Sequence, residues 1–229
     1  MVKKTNIDYW ERIVKNPGKN YKELFEKEKQ FLRKIIKSNS KVLDIGCGDG
    51  RIISEIKDIP KEIFGIDFDK KAVEDARERF SGNSKIKIMQ GSAFKIDFKS
   101  ETFDYVLLMM TLVNFSENKL KTLSEMSRVL KENGSIILSV YSDSAFNERK
   151  KMYEKIEVPI EKIEGTKFIF RKNIGANESE QFSIEELTKL CNLANLNIED
   201  YVETKIGLIC EVKKIIGLFL VASPEGLER

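Results

Sequence analysis

The stretch KVLDIGCGDG, residues 41–50, decides the fold of this 229-residue chain. Apolar residues lead into the acid Asp44, and glycines then alternate at positions 46, 48 and 50 before a helical pattern begins. Because glycine has no Cβ, the backbone can turn tightly and its N–H groups can come close to a ligand. The stretch therefore predicts a nucleotide-binding turn between a strand and a helix.

A second apolar run, residues 63–66, ends in the acid Asp67. It lies roughly 20 residues beyond the glycine turn, where an acid in such folds hydrogen-bonds ribose hydroxyls. This spacing also suits nicotinamide enzymes, but their usual turn is Gly-x-Gly-x-x-Gly and receives a pyrophosphate that Asp44 would repel. The simplest alternative is a tight strand-to-helix connection with no ligand, and the presence of both motifs in one βαβ unit disfavours it.

Asp44-x-Gly-x-Gly-x-Gly resembles the first motif of the class I S-adenosylmethionine-dependent methyltransferases. The resemblance implies S-adenosyl-L-methionine as cofactor and S-adenosyl-L-homocysteine as its product. A carboxylate at Asp44 is compatible with the cofactor's ammonium group. By the same resemblance, Asp67 binds the ribose and Phe68 lies against the adenine. The residues implied at the amino-acid end of the cofactor are Asp44, Gly46, Cys47 and Gly48.

The resemblance continues through most of the chain. Ser92 and Ala93 stand where the family flanks the adenine, with Ser92 in place of an acid. Residues 103–110 resemble the fourth motif, whose end, at Met109, faces the sulfonium, and Asn114 replaces a histidine that the family often has nearby. The fold implied is a Rossmann-like three-layer α/β/α sandwich. Its seven-stranded sheet is mostly parallel, with an antiparallel last strand beside the fifth.

Hydrophobic periodicity orders the elements in the same way. Apolar residues at helical spacing predict an amphipathic helix over about 22–37, and shorter helices follow the first, second and fourth strands. Ser183 and Glu186 form a capping-box pattern, and residues 215–222 are interpreted as the closing strand. We expect one domain over 1–229. Its parts are an N-terminal helical lid (1–37), a cofactor-binding core (38–140), a substrate-side insertion (141–181), and the last helix with the closing strands (182–229).

Composition restricts the chemistry. The chain has no histidine, which excludes Ser-His-Asp hydrolysis, Cys-His proteolysis and histidine-ligated metals. Cys47, Cys191 and Cys210 are too scattered for a metal site and are interpreted as free thiols. Interleaved charges, with 40 basic and 37 acidic side chains, do not indicate a broad nucleic-acid surface, although nucleic acid is not excluded. With no membrane-length apolar run and no secretion signal, we expect a cytoplasmic protein without a membrane partner, as monomer or homodimer.

Two segments outside the core pattern are expected to select the substrate. In residues 1–21, the aromatics Tyr9, Trp10 and Tyr21 surround a turn at 16–19. An aromatic ring beside a sulfonium gains ~0.5–2 kcal/mol, so we expect Tyr21 to contact the cofactor. Alternatively, Tyr9 and Trp10 only anchor a helix to the core.

The second segment, residues 141–181, contains a predicted β-hairpin around Glu164-Gly165 that would roof the active site. Tyr141 and Asp143 follow the fifth strand directly, and either one is a candidate to orient a nucleophile during catalysis. The insertion also carries polar residues that would bind an anionic substrate if they face inward, or else form an ordinary solvated face. They are Glu148, Arg149, Tyr153, Lys167, Arg171 and Lys172.

The leading function is transfer of the sulfonium methyl to an O, N or C nucleophile by in-line displacement, with a small-molecule substrate. Such transfer needs little more than proximity, alignment and desolvation. Neither the proline-rich motif of amino-methylating DNA enzymes nor the Pro-Cys pair of cytosine C5 methylation is present. RNA or protein methylation, a non-catalytic cofactor-binding partner subunit, and a nicotinamide-dependent oxidoreductase remain as alternatives.

Overall fold

The computed structural model describes residues 7–171 and 177–215. The helices are α1 (Ile7–Lys15), α2 (Lys19–Ile35), α3 (Arg51–Ile56), α4 (Lys70–Arg79), α5 (Lys119–Val129), α6 (Phe146–Lys155) and α7 (Ile184–Leu193). The strands are β1 (Lys41–Ile45), β2 (Glu62–Asp67), β3 (Ile86–Gln90), β4 (Phe103–Met109), β5 (Leu130–Tyr141), β6 (Ile160–Glu164), β7 (Lys167–Phe170), β8 (Glu178–Ser179), β9 (Leu196–Glu203) and β10 (Gly207–Lys214). Short 3₁₀ turns cover Leu112–Asn114, Ser116–Asn118 and Asp143–Ala145.

The main sheet has seven strands in the order β3-β2-β1-β4-β5-β10-β9, and only β10 runs antiparallel to its neighbours. This confirms the predicted Rossmann-like architecture. The strand order reverses between β1 and β4, which pair directly, with Asp44 opposite Leu107. Ligands of open α/β sheets bind beyond the carboxyl ends of the strands at such a switch point. The fold therefore places a site beyond Asp44.

The predicted closing strand, residues 215–222, lies outside the described part of the chain, except for Ile215, which directly follows the last described strand. The strand that inserts antiparallel beside β5 is β10, where Leu208 faces Val140 and Cys210 faces Leu138. The apolar run at 206–212 supplies its buried face. A longer and more apolar stretch after it drew the sequence prediction away from these residues.

The second N-terminal helix, α2, packs on one face of this sheet. Helix α2 buries an apolar stripe of Tyr21, Leu24, Phe31 and Leu32, as its periodicity predicted. It lies against β10 so closely that a Cβ on Gly207 would come within 2.7 Å of Leu24. The turn between α1 and α2 falls at residues 16–18, as predicted.

The insertion contains more structure than the sequence indicated. The predicted hairpin is present as β6 and β7, which turn at Gly165 with a φ of +59°. Helix α6 was not predicted, because its inward face interrupts the apolar pattern with Arg149. Tyr153 of α6 packs edge-on against Phe168 of β7, with the ring centres 5.0 Å apart. These contacts join the insertion to the hydrophobic core of the main sheet.

Helix α7 begins at the predicted capping box. The backbone N–H of Glu186 donates to Ser183 Oγ at 3.2 Å, and Ser183 N–H donates to Glu186 Oε2 at 2.9 Å. Within residues 7–171 and 177–215, every helix is too short or too polar to cross a bilayer.

Candidate functional site

A cavity of about 610 Å³ opens beyond the carboxyl ends of β1, β2 and β4. Most residues predicted for the site lie on its wall. The predicted residues that line it are Asp44, Gly46, Cys47, Gly48, Asp67, Phe68, Ser92, Ala93, Met109 and Tyr141. Tyr21 and Asp143 do not line it. The fold thus brings residues from five chain segments to one place.

The glycine turn has an additional structural reason for its composition. A Cβ on Gly46 would come within 2.6 Å of Thr111, and one on Gly50 within 2.3 Å of the Phe80 ring. Gly48 is different, because nothing lies within 4 Å of its Cβ position. All three have φ between +54° and +88°, which disfavours other residues. Gly46 and Gly50 therefore serve packing, and Gly48 keeps the cavity open.

The backbone N–H groups of the turn were expected to face a ligand, but three of them bond within the protein. Gly46 and Cys47 donate to the carbonyl of Ile66, and Gly48 donates to Asp67. These donors thus hold β1 to β2 and do not point at a ligand. Cys47 packs behind the turn, with its thiol buried, and the burial raises the pKa of that thiol. It is a structural thiol in this position, like the buried Cys191 and Cys210.

Asp67 joins the two predicted motifs. Its Oδ2 accepts from Gly48 N–H at 2.9 Å, and its Oδ1 accepts from Asp69 N–H at 2.9 Å. Burial raises the pKa of this carboxyl, and these two backbone N–H groups oppose the rise. Each oxygen keeps a further lone pair for a hydroxyl donor. The carboxylate is thus fixed in place with acceptor capacity directed at the cavity.

Asp44 is buried, and one of its carboxylate oxygens has no hydrogen bond within the described part of the chain. The residue is 2% exposed, and the oxygen concerned is Oδ2. Desolvation raises the pKa of Asp44 to about 8, opposed by the positive charge of Arg51 and reinforced by Asp67 and Glu28. An orphaned buried carboxylate is costly unless a cation joins it. The ammonium group of the implied cofactor is such a cation.

A buried network behind Asp44 was not recognised in the sequence. Glu28 of α2 is fully buried and accepts from Arg51 Nη1 at 2.8 Å and from Ser139 Oγ at 2.6 Å. The same Ser139 Oγ accepts from the backbone N–H of Met110, which lines the cavity with a φ of +54°. The signal was present, since Glu28 interrupts the apolar stripe of α2. Its carboxylate fixes both Arg51 and a strained residue at the cavity wall.

The adenine end implied by the resemblance is open and flat. Phe68 is 65% exposed on the cavity wall, so its ring is available for stacking. Ser92 Oγ accepts from Phe94 N–H at 3.1 Å, which fixes the hydroxyl beside Ala93. The Ser92 hydroxyl can still donate one hydrogen bond. These features fit a purine base.

Apolar side chains form a further part of the cavity wall. Trp10 and Val14 of α1, Val113 and Phe115 are among them, and the charged Glu11 and Lys15 of α1 line the cavity as well. Trp10 also packs edge-on against Phe25, with ring centres 6.0 Å apart, so it both anchors α1 and faces the cavity. The side chain of Tyr9 lies outside the described part. The lid predicted for the N-terminal segment thus contributes α1 directly to the wall.

Polar side chains line the cavity too, among them Asn114, Asn118 and Ser179. Asn114 follows β4, and its Oδ1 is buried with no hydrogen-bond partner among the described residues. Tyr141 ends β5 and is 2% exposed. The hydroxyl of Tyr21 lies 3.4 Å from that of Tyr141, so Tyr21 lies behind the wall. Asp143 lies on the surface beyond it, where its carbonyl accepts from Gln181.

The insertion covers the cavity through its third strand. Asn177 and Ser179 line the cavity, whereas no described residue of β6 or β7 does, so the predicted hairpin itself is not the roof. The predicted polar cluster is divided between two environments. Glu148, Lys167 and Arg171 lie at least partly on the surface, Arg149 and Tyr153 are fully buried, and Lys172 lies outside the described residues.

Comparison with known proteins identifies a family. A family model described as a methyltransferase domain matches residues 36–195, which is most of the chain. A demethylmenaquinone methyltransferase from Staphylococcus aureus is 29% identical over 163 residues, covering 66% of this chain and 67% of that protein.

Solved structures share the fold. A protein from Pyrococcus horikoshii has a TM-score of 0.69 at 23% identity, covering 86% of this chain and 92% of that one. An S-adenosylmethionine-dependent methyltransferase from Thermotoga maritima has a TM-score of 0.63 at 21% identity, covering 91% and 95%. At these identities the likeness concerns the architecture described above.

Proposed function

This chain belongs to the class I S-adenosylmethionine-dependent methyltransferases, and from that premise we propose that its acceptor is a small, mainly apolar molecule with a hydroxyl or amine group. The observation that carries this proposal is the buried Oδ1 of Asn114. Asn114 lines the cavity together with its apolar neighbours in the chain, Val113 and Phe115, and its Oδ1 lacks a hydrogen-bond partner among the described residues. A buried oxygen of this kind favours a ligand that donates a hydrogen bond.

The dimensions of the site support a small acceptor. The cavity volume of about 610 Å³ falls within the ~300–1,000 Å³ of small-molecule sites, and the cofactor must share this space with the acceptor. The similar enzyme from Staphylococcus aureus takes its name from a small molecule, demethylmenaquinone. Its identity to this chain is too low to transfer that particular substrate, so we propose the class and not the compound.

Three residues would hold the cofactor. Asp44 would pair with its ammonium group, Asp67 would accept from its ribose hydroxyls, and Ser92 would bind at the adenine. Two features of the site fit this arrangement, namely the orphaned Oδ2 of Asp44 and the open space beside Gly48. When bound there, the cofactor supplies an electrophilic methyl group.

The chain's own residues would then position the acceptor. Asn114 Oδ1 would accept a hydrogen bond from the acceptor's hydroxyl or amine and hold the nucleophilic atom in line. Trp10, Val14 and Phe115 would exclude water from the reacting atoms, since methyl transfer depends on proximity and desolvation. Tyr141 would orient the nucleophile or take up the proton that it releases.

The proposal is tested with labelled S-adenosylmethionine and a host extract that is separated into metabolite, RNA and protein fractions. We expect label in the metabolite fraction with the wild-type protein, and none with Asp67→Ala. Label in RNA or protein would contradict the proposed substrate class. Cofactor binding without label in any fraction would favour the non-catalytic alternative.

An Asn114→Ala variant tests the acceptor site separately from the cofactor site. We expect its affinity for S-adenosylhomocysteine to stay unchanged while KM for the labelled metabolite rises by about 10-fold, the value of one hydrogen bond to a buried group. Unchanged kinetics would remove Asn114 from the proposed site.

A further inference from the structure

Arg149 is the largest fully buried side chain among the described residues. Its guanidinium bonds only to neutral acceptors there: Nη1 donates to Gln181 Oε1 at 3.0 Å, and Nη2 donates to Ser179 Oγ at 2.7 Å and to Tyr153 Oη at 3.1 Å. Its Nε has no hydrogen-bond partner in the part of the chain that the structure describes. Within residues 7–171 and 177–215, no carboxylate lies within ion-pair distance of Arg149. Among the described residues, the cation is therefore desolvated without a compensating anion.

If this arrangement served only to hold the fold together, it would lower the stability of the protein. A buried charge that lacks an opposite charge costs several kcal/mol, and apolar residues of similar volume often stabilise a core equally well or better. The neighbours of Arg149 are suited to an apolar replacement, because the ring centre of Phe168 lies 4.8 Å from the guanidinium carbon. Packing alone therefore does not explain why a charged residue occupies position 149.

The geometry indicates where an anion would form. The guanidinium carbon lies 3.9 Å from the centre of the Tyr141 ring, which is closer than to any other described ring. Tyr141 lines the cavity and Arg149 does not. A cation at this distance favours the charged form of a neighbouring group that can lose a proton.

We propose that Arg149 is a positioning residue whose charge stabilises the phenolate of Tyr141, so that Tyr141 can act as the base that deprotonates the methyl acceptor. This inference rests on the proposed function, since it requires an acceptor that carries a removable proton. In the step, the acceptor's O–H or N–H bond breaks and its proton moves to the phenolate oxygen of Tyr141. The electron pair left on the acceptor forms the new bond to the methyl carbon, and the carbon–sulfur pair stays on sulfur, which becomes a neutral thioether.

The other titratable groups around Tyr141 are compatible with this role. Tyr21 of α2 lies 3.4 Å away, hydroxyl to hydroxyl, and burial raises the pKa of Tyr21, so it stays protonated and can donate to a phenolate. Tyr153 of α6 already binds Arg149. Glu148 of α6 pairs at the surface with Lys151 and Lys205, and Glu28 of α2 is bound to Arg51. Arg149 is thus the charged group in closest described contact with the Tyr141 ring.

The first experiment titrates tyrosinate by ultraviolet difference absorbance in protein without cofactor or acceptor. We compare the wild type with Tyr141→Phe and, as a matched control, with Tyr201→Phe, which removes a tyrosine that is 46% exposed. We expect one tyrosinate to form below the ordinary range near pH 10, and to disappear in Tyr141→Phe but not in Tyr201→Phe. If Tyr141→Phe leaves the low-pH signal unchanged, or none exists in the wild type, the inference is wrong.

The second experiment tests Arg149 itself. Arg149→Met should move the tyrosinate signal, and the acid limb of the pH–rate profile, upward by about 1–3 pH units. Arg149→Lys keeps the positive charge and should return both most of the way to their wild-type positions. A loss of kcat that is the same at every pH would assign Arg149 a structural role and overturn the proposal. If Arg149→Met does not fold, Arg149→Gln, which removes the charge and keeps a hydrogen-bond donor, replaces it with the same expected shift. The titration uses no methyl acceptor, so a negative result there counts against the role of Arg149 alone. The proposed function is contradicted by a different result, the appearance of label in RNA or protein.

Discussion

The backbone N–H of Gly48 donates a hydrogen bond of 2.9 Å to Oδ2 of Asp67, which lies 19 residues further along the chain. This bond joins the glycine turn after β1 to the acidic end of β2. The two motifs therefore form one rigid unit, and the orientation of the Asp67 carboxylate depends on the turn as much as on its own strand.

Asp67→Asn is expected to weaken the binding of S-adenosylhomocysteine by about 10–100-fold. Hydrogen bonds to a charged group contribute about 1.5–3 kcal/mol, and the amide replaces one acceptor oxygen with a donor that faces a backbone N–H. Isothermal titration calorimetry measures the change. Asp58→Asn, which removes an exposed carboxylate paired with Arg33 at 2.8 Å, is the matched control and should bind normally. Equal affinities for the two variants would exclude Asp67 from the cofactor site.

Gly46→Ala and Gly48→Ala are expected to fail in different ways. A Cβ at Gly46 would lie 2.6 Å from Thr111 and must displace it, so this variant should lose thermal stability. A Cβ at Gly48 meets nothing, and its cost is limited to the positive φ, about 1 kcal/mol. Gly48→Ala should therefore fold and yet lose cofactor binding, because its methyl group enters the cavity. Calorimetric melting and cofactor titration distinguish the two effects, and normal binding by Gly48→Ala would contradict our account of the turn.

The cofactor side of the site could be predicted from sequence because it depends on local backbone geometry. Alternating glycines with positive φ and an acid at a strand end are short-range features, and the parallel sheet brings them together automatically. Tyr21 shows the limit of this reasoning. Its position beside the turn at 16–18 indicated the cofactor, but the tilt of α2 directs its ring toward Tyr141 behind the wall.

The acceptor side could not be predicted in the same way. Arg149 and Ser179 lie 30 residues apart and meet only because α6 and β8 pack together, and no local pattern encodes that contact. The strand that pairs with β5 was not identified in the sequence for a related reason. Strand β10 at Gly207–Lys214 is fixed by pairing with β5, whereas hydropathy alone favoured the more apolar residues that follow it.

Glu28→Gln is expected to lower the free energy of unfolding by about 3 kcal/mol, the low end for breaking a buried pair, because Arg51 is 16% exposed. For a chain of this size that corresponds to roughly 6–12 °C in melting temperature. Glu55→Gln is the matched control, since Glu55 pairs with Lys29 at 2.8 Å between partners that are 37% and 42% exposed. Surface pairs contribute about 0–1 kcal/mol, so this variant should melt close to the wild type. Equal losses in the two variants would show that the Glu28 network is not a buried unit.

The burial of Asp44 makes both stability and cofactor binding depend on pH. Burial raises the pKa of Asp44 to about 8, whereas an aspartate in an unfolded chain titrates near 3.9. Between these values the folded protein holds a proton that the unfolded chain does not. The stability from this proton is therefore fully present below about pH 4 and is lost progressively as the pH rises through about 8. The cofactor's ammonium requires the carboxylate form, so binding near neutral pH should release a proton.

We therefore expect the affinity for S-adenosylhomocysteine to rise with pH between about 6 and 7.5, by up to about tenfold per unit, below the range where an α-amino group loses its own charge. Calorimetric titrations in two buffers with different ionisation enthalpies count the proton released. Asp44→Asn should bind more weakly, release no proton and melt with less pH dependence, while Asp97→Asn, at an exposed position, should behave like the wild type. Proton release that persists in Asp44→Asn would assign the titration to another group and remove Asp44 as the partner of the ammonium.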